Sequence, residues 1–330
     1  MSHASRRHAL TAFAGVILAA SGAARAQPGG GTTWRPDRAV RMIIPFAAGT
    51  TTDTLGRLMG AALSRGLGQP VVIDNRTGAG GTVGAAAVAG AAPDGLTILF
   101  GTSGAMATNP VLMAAIPYDP IRDFAPIGAV ARTAIVLGIR PALGPATVQE
   151  FLALARRRPL SLASAGTGTT GHIAQALLDL RTGITTTHVP YREGNRAVTD
   201  LIAGVVDAML YHPLGFLPHI RSGASRPLAL TGESRSFVLP DLPTMAEAGV
   251  PGVIVEGWWA VYAPAGTPAP VVARLNALVN AALADAEFAA ALRAQGLETM
   301  GGTPEGLRAH NAAEIERQRE VIRAAGITAG

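Results

Sequence analysis

Short apolar runs alternate along this chain with segments whose apolar positions recur at helical spacing. Val40 to Phe46 (VRMIIPF) predicts a strand, followed by the small-residue turn PFAAGTTTD (Pro45 to Asp53) and a helix with Leu55, Leu58, Met59, Ala62 and Leu63 on one face. Val71 to Ile73 predicts a second strand, and the glycine-rich stretch from Asn75 leads into a helix of small residues stopped at Pro93-Asp94-Gly95. Leu96 to Gly101 predicts a third strand, ending at Thr102 and Ser103. From Ile127 the alternation restarts. Strands are predicted over Ala134 to Ile139, Ser161 to Ala165, Thr186 to Val189, Asp207 to Tyr211 and Pro227 to Thr231, with helices over Val148 to Arg157, His172 to Leu180 and Asn195 to Ala203. Beyond Pro268 the pattern is mostly helical and ends in a long polar helix, Pro304 to Ala325.

This order predicts an α/β fold of mainly parallel sheets flanked by helices, with ligand contacts at the carboxyl ends of the strands. Two such units, the second inserted in the first, face each other across a cleft. Residues 27–126 and 229–330 form the first lobe and residues 127–228 the second, with crossings near Ile127 and Leu228 as hinges.

Composition changes the picture at the N-terminus. Arg6 and Arg7 precede an apolar run from Ala9 to Ala20, and Ala24-Arg25-Ala26 follows, which together describe a cleavable export signal over residues 1–26 and a periplasmic location. SRRHAL (Ser5 to Leu10) is a partial twin-arginine pattern that does not separate the two export routes. Removing the signal takes away Arg6, Arg7 and Arg25 and no acid, so the formal charge falls from +5 to +2. No basic, aromatic-laced stripe suited to nucleic acid occurs elsewhere. With 0 cysteines, disulfides and thiolate metal sites are excluded, and the 7 histidines lack metal-ligand spacing. No cofactor is expected, nor a nucleophile elbow or zinc-protease pair.

The chemistry concentrates in SLASAGTGTTGHIAQALL, from Ser161 to Leu178. A glycine-rich turn between a strand and a helix N-terminus offers free N–H groups and partial positive charge, which suits an anion. Gly166, Gly168 and Gly171 let a ligand approach the main chain, while Ser164, Thr167, Thr169 and Thr170 add hydroxyls without charge. The same turn spells the dinucleotide fingerprint, with Glu193 at the distance of a ribose-binding acid, so an oxidoreductase is the enzyme alternative. Against it stand the turn's mid-chain position and the export signal. The first turn is built alike: Asp53 reads first as a helix cap and second as a ligand group, beside Thr50, Thr51 and Thr52. Thr102, Ser103, Tyr191, Gly194 and one of Trp258 and Trp259 are further candidates for the pocket wall, and His172 reads as a neutral imidazole bonded to backbone.

Seven phrases in order resemble the periplasmic solute receptors of tripartite tricarboxylate transporters, the Bug receptors. They are PFAAGTTTD (Pro45 to Asp53), NRTGAGGTVGA (Asn75 to Ala85), APDGLTIL (Ala92 to Leu99), YDPIRDFAPI (Tyr118 to Ile127), HVPYREGNRAVTDLIAG (His188 to Gly204), LPDLPTMAEAGV (Leu239 to Val250) and WWAVYAPAGTPAPVV (Trp258 to Val272). The resemblance implies a two-lobed periplasmic-binding-protein fold of type II kind, a small carboxylate held between lobes, and delivery of that ligand to a membrane permease by a monomeric receptor. A sensory role beside a membrane signalling partner stays open. It further implies that two turns grip the carboxylate, at Phe46, Ala47, Thr51 and Asp53 on one side and Ser164, Gly166, Thr167, Gly168 and Thr169 on the other. This chain departs from the family where Gly49-Thr50 stands for two glycines, and where Tyr211 and His212 stand for an acidic or small polar residue. The second departure argues against an amino-acid ligand.

Overall fold

Val40, Met42 and Ile44 face one side of the first strand and Ile43 the other, and all four are buried because both faces are covered. In the computed structural model, which describes residues 34–328, this strand β1 (Val40–Ile44) pairs in parallel with β2 (Val71–Asn75) and β3 (Thr97–Thr102). The export signal expected over residues 1–26 lies outside the described residues. Helix α1 (Thr51–Leu67) joins β1 to β2, and its Leu55, Met59, Leu63 and Leu67, one turn apart, pack on Met42 and Ile44. Helix α2 (Thr82–Ala89) covers the other face, where Ala85 and Val88 meet Ile43 and Leu99. A single π-helical turn (Gly104–Thr108) and a short helix α3 (Asn109–Leu112) follow β3.

Strand β4 (Phe124–Ala134) keeps the chain in this sheet past Ile127, so the crossing to the second sheet falls at Ile135. The run expected as one strand over Ala134 to Ile139 is the end of β4 and all of β5 (Val136–Ile139). Then come α4 (Val148–Ala155), β6 (Ser161–Ser164), α5 (Thr170–Thr182), β7 (Thr187–Pro190), α6 (Gly194–Ile202), β8 (Ala208–Tyr211), α7 (Pro213–Arg221) and β9 (Arg226–Leu230). The chain returns through β10 (Glu256–Pro264) and closes with α8 (Ala269–Ala284), α9 (Ala286–Arg293), β11 (Glu298–Gly301) and α10 (Pro304–Ala325).

The sheet orders are β11-β4-β10-β3-β1-β2 and β7-β6-β8-β5-β9. Both sheets are mixed rather than mainly parallel. Parallel pairing holds where a helix makes the crossover, as from β1 to β2 and from β6 to β7. Strands entered from the other sheet run antiparallel: β10 to β3 and β4, and β5 to β8 and β9.

The crossings are tied together at one residue. Thr231 is fully buried; its N–H donates to the Ile135 carbonyl (2.9 Å) and its oxygen accepts the Ile135 N–H (3.1 Å). Its hydroxyl donates to the Val255 carbonyl at 2.6 Å, and its carbonyl accepts the Val255 N–H at 3.1 Å. Helix α10 also spans both lobes. Its Leu307 and Ile315 pack with the first sheet's core, and its Ile322 joins the second lobe's core beside Leu177 of α5.

Candidate functional site

The turn from β1 into α1 is held by its own side chains. Thr50 caps the helix, accepting the Asp53 N–H at 3.3 Å and donating its hydroxyl to the Ala47 carbonyl at 2.7 Å. Asp53 is therefore inside the helix rather than its cap residue. Its buried carboxylate accepts from the Gly49 N–H (2.8 Å), the Asn75 amide (2.8 Å) and the Arg57 guanidinium (2.9 Å). Burial opposes the charge, yet those hydrogen bonds outweigh it and hold the carboxyl below its ordinary range. Asn75 also donates to the Phe46 carbonyl at 2.8 Å, which fixes the strand end to the turn.

The second turn is built differently. Gly166 and Gly168 take φ of 124° and 75°, which a side chain would strain. Ser164, at the end of β6, accepts the Gly166 N–H at 3.1 Å and lies 2.7 Å from His188 Nε2. The Gly168 N–H donates to His172 Nδ1 at 3.2 Å, and the His172 and His188 rings stack with centroids 4.0 Å apart. Accepting that bond requires a neutral ring; burial, with the His188 charge adding to it, depresses His172 to about 4. The Thr169 hydroxyl donates to the Gly166 carbonyl at 2.7 Å, so no side chain caps α5. The helix therefore presents its first N–H groups uncapped.

Both helix ends open on one cavity. Phe46, Thr50 and Thr52 line it from the first turn, Thr102, Ser103 and Gly104 from the end of β3, and Ala165, Thr169, Thr170 and Gly171 from the second turn. Leu210, Tyr211 and His212 line it from the end of β8, and Ile135, Trp258 and Trp259 from the crossings. The space is about 510 Å³ with its mouth included. None of these residues except neutral His212 is titratable near neutral pH; burial depresses its imidazole to about 4. Trp259 Nε1 donates to Thr52 Oγ1 at 3.0 Å, leaving the threonine hydrogen available to an acceptor in the cavity.

The lobes touch at the rim. Asn109 Nδ2 donates to the Gly80 carbonyl at 3.1 Å and to Thr82 Oγ1 at 3.2 Å. Gly168 of the second lobe passes so close to Asn109 Oδ1, and Gly80 so close to the Thr167 carbonyl, that neither glycine has room for a Cβ.

Of the residues singled out from sequence, Phe46, Thr102, Ser103, Thr169 and Tyr211 line the cavity. Ser164, Gly166, Thr167 and Gly168 shape the second turn behind that wall, and Ala47, Thr51 and Asp53 shape the first. Tyr191 is turned to Asp200, to which its hydroxyl donates at 3.0 Å, and Gly194 starts α6 against the Tyr211 ring. Sequence reasoning missed Ile135, Gly104, Ala165 and Leu210 in the wall. Ile135, Ala165 and Leu210 fall inside strands predicted from sequence and Gly104 directly follows Ser103, but small and apolar residues at those places carry no local signal that they face a cavity.

The model of the tripartite tricarboxylate transporter family receptor matches residues 55–327. The protein BugT of Bordetella pertussis is 38% identical over 96% of this chain and 97% of its own length. Among solved structures, R. palustris Rpa4515 with adipate superposes with a TM-score of 0.87 at 39% identity, covering 89% of this chain and 99% of that one. MatC from Rhodopseudomonas palustris with bound malate gives 0.83 at 34% identity, covering 87% and 99%.

Proposed function

The chain belongs to the tripartite tricarboxylate transporter receptor family, a family of binding receptors and not of enzymes, and from that premise we propose that it captures a small organic carboxylate between its lobes and hands it to a membrane permease. The observation that carries this reading is the pair of helix N-termini, α1 and α5, opening on one cavity whose wall holds no charged side chain. A carboxylate there is held by peptide dipoles and hydroxyls, at α5 above all, where the first N–H groups have no side-chain cap. Such a grip lacks a buried ion pair, whose desolvation makes both formation and release expensive. The adipate and malate in the two neighbours mark the ligand class.

In this reading the turn residues from Phe46 to Asp53 and from Ser164 to Thr169 form the jaws, with Thr102, Ser103, Tyr191, Gly194 and Tyr211 beside them. The lobes, near residues 27–126 with 229–330 and residues 127–228, close about the Ile135, Thr231 and Val255 crossings. A monomer working in the periplasm after loss of residues 1–26 completes the proposal. The ligand favours the shut form only through contacts made there.

The test is thermal denaturation of the mature chain against a library of small acids. A receptor melts higher with its acid, by RT ln(1 + [L]/Kd) in stability, and returns that acid unaltered. A library without a single stabilising acid overturns the reading. Small-angle scattering with and without the acid found checks closure, which an unchanged radius of gyration contradicts.

A further inference from the structure

Tyr211, the last residue of β8, lines the cavity from the second lobe, and its side chain reaches toward the first. The ring is held in a slot. A Cβ on Gly194, at the start of α6, would strike the phenol oxygen, and one on Gly215 of α7 would strike the ring edge. Phe216 closes the slot edge-on, with centroids 6.1 Å apart at 89°. Packed on these sides, the ring is a fixed part of the wall rather than a movable gate. Burial raises the pKa of the phenol, and the hydroxyl and N–H of Thr51, which it faces across the cleft, oppose that rise. Thr51 opens α1, and its neighbours Thr50 and Thr52 line the same cavity. The side chain therefore spans from the end of β8 to the first turn of α1.

We propose that Tyr211 sets the length of acid that this receptor accepts, as a fixed wall against which the far end of the ligand stops. The inference rests on the carboxylate reading above and adds to it the residue that selects among carboxylates. Anchor and wall are neighbours: Gly171, in the first turn of α5, lies against the Leu210 carbonyl, one residue before Tyr211. An acid seated on the α5 N–H groups extends from there toward α1, and the phenol, whose tip lies at Thr51, stands across that direction. Ile135 and Trp259 are apolar parts of the same wall, so each methylene that fits between anchor and phenol is buried and gains about fourfold in affinity. One methylene too many meets a ring that cannot yield, and costs about tenfold. The place of that break is what Tyr211 fixes, whether the far end is a methyl group or a second carboxylate.

The test is isothermal calorimetry of the mature chain at pH 7 with two straight-chain series: malonate, succinate, glutarate, adipate, pimelate and suberate; propionate, butyrate, valerate and hexanoate. In a series that binds, affinity should rise with length to a best acid and then break. Tyr211→Ala should raise the affinity for the first rejected acid, relative to the best one, by about tenfold. Tyr211→Phe keeps the ring, and should change all affinities by one factor while leaving the order of lengths as it stands. Circular dichroism and thermal melting check that the variants fold, and Tyr211→Leu, which shortens the side chain but keeps it apolar, carries the test should the alanine variant unfold. Absence of a break in the unsubstituted chain, or the same break in the alanine and leucine variants, overturns the inference while the carboxylate reading stands. So does a Tyr211→Phe order that moves as far as theirs. Binding of none of the acids overturns both.

Discussion

The two helix ends that share the cavity differ in what already occupies them. At α1 the dipole has been answered from within: Thr50 caps it, and the Asp53 carboxylate sits in its first turn, bonded to Gly49, Asn75 and Arg57. At α5 no acid lies in the first turn and no side chain caps it; two stacked imidazoles hold the glycine turn in shape from behind. One end is a finished piece of structure and the other is left wanting an anion. Similar sequence signatures, a glycine-containing turn rich in threonine before a helix, thus serve opposite purposes.

That contrast can be broken in four places. The largest effect is expected from acid. Unfolded, His172 takes up a proton near 6.5, whereas the folded ring does so only near 4, so stability is whole above pH 6.5, declines as pH falls, and has lost up to about 3 kcal/mol by pH 4. Urea unfolding at pH 7, 5.5 and 4 measures this, and His172→Asn, which keeps an acceptor for Gly168 without titrating, should flatten the dependence. Next, Gly168→Val places a Cβ on Asn109 Oδ1 and strains a φ of 75°, and should weaken binding by about 100-fold with the helical circular dichroism retained. An intact affinity would mean that the second turn's shape is irrelevant to the ligand. Asp53→Ala leaves Gly49 and Asn75 without their acceptor and should cost about 2 kcal/mol in denaturant titration. A cost below about 0.5 kcal/mol would remove the distinction between the two ends. Smallest is Trp259→Phe, about 1 kcal/mol for the lost bond to Thr52.

Much of the fold is legible before any coordinates. Proline at the start and a polar, periodic face place α10 at Pro304–Ala325 from sequence alone, and the strand, turn and helix around Gly166 are found within two residues. Other elements lack a local signal. Helix α7 carries Pro213 and Pro218 and so reads as loop, and β11 is only four residues long. Sheet direction depends on which lobe a strand enters from, which no window of residues records. The site divides in the same way. Turn residues such as Phe46 and Thr169 are found because glycine and threonine advertise them, while Ile135 reaches the cavity only because three crossings meet at Thr231.

Helix α10 has 22 residues, hence a length of about 33 Å, and lies along both halves of the molecule. A stiff strut with a seat on each half cannot follow a hinge without losing its bed at one end. Parting the halves must therefore either unseat Ile322 or bend the strut, and both raise the resting energy of the gaping form. In the closure proposed above, that cost opposes opening, and the ligand has correspondingly less work left to do.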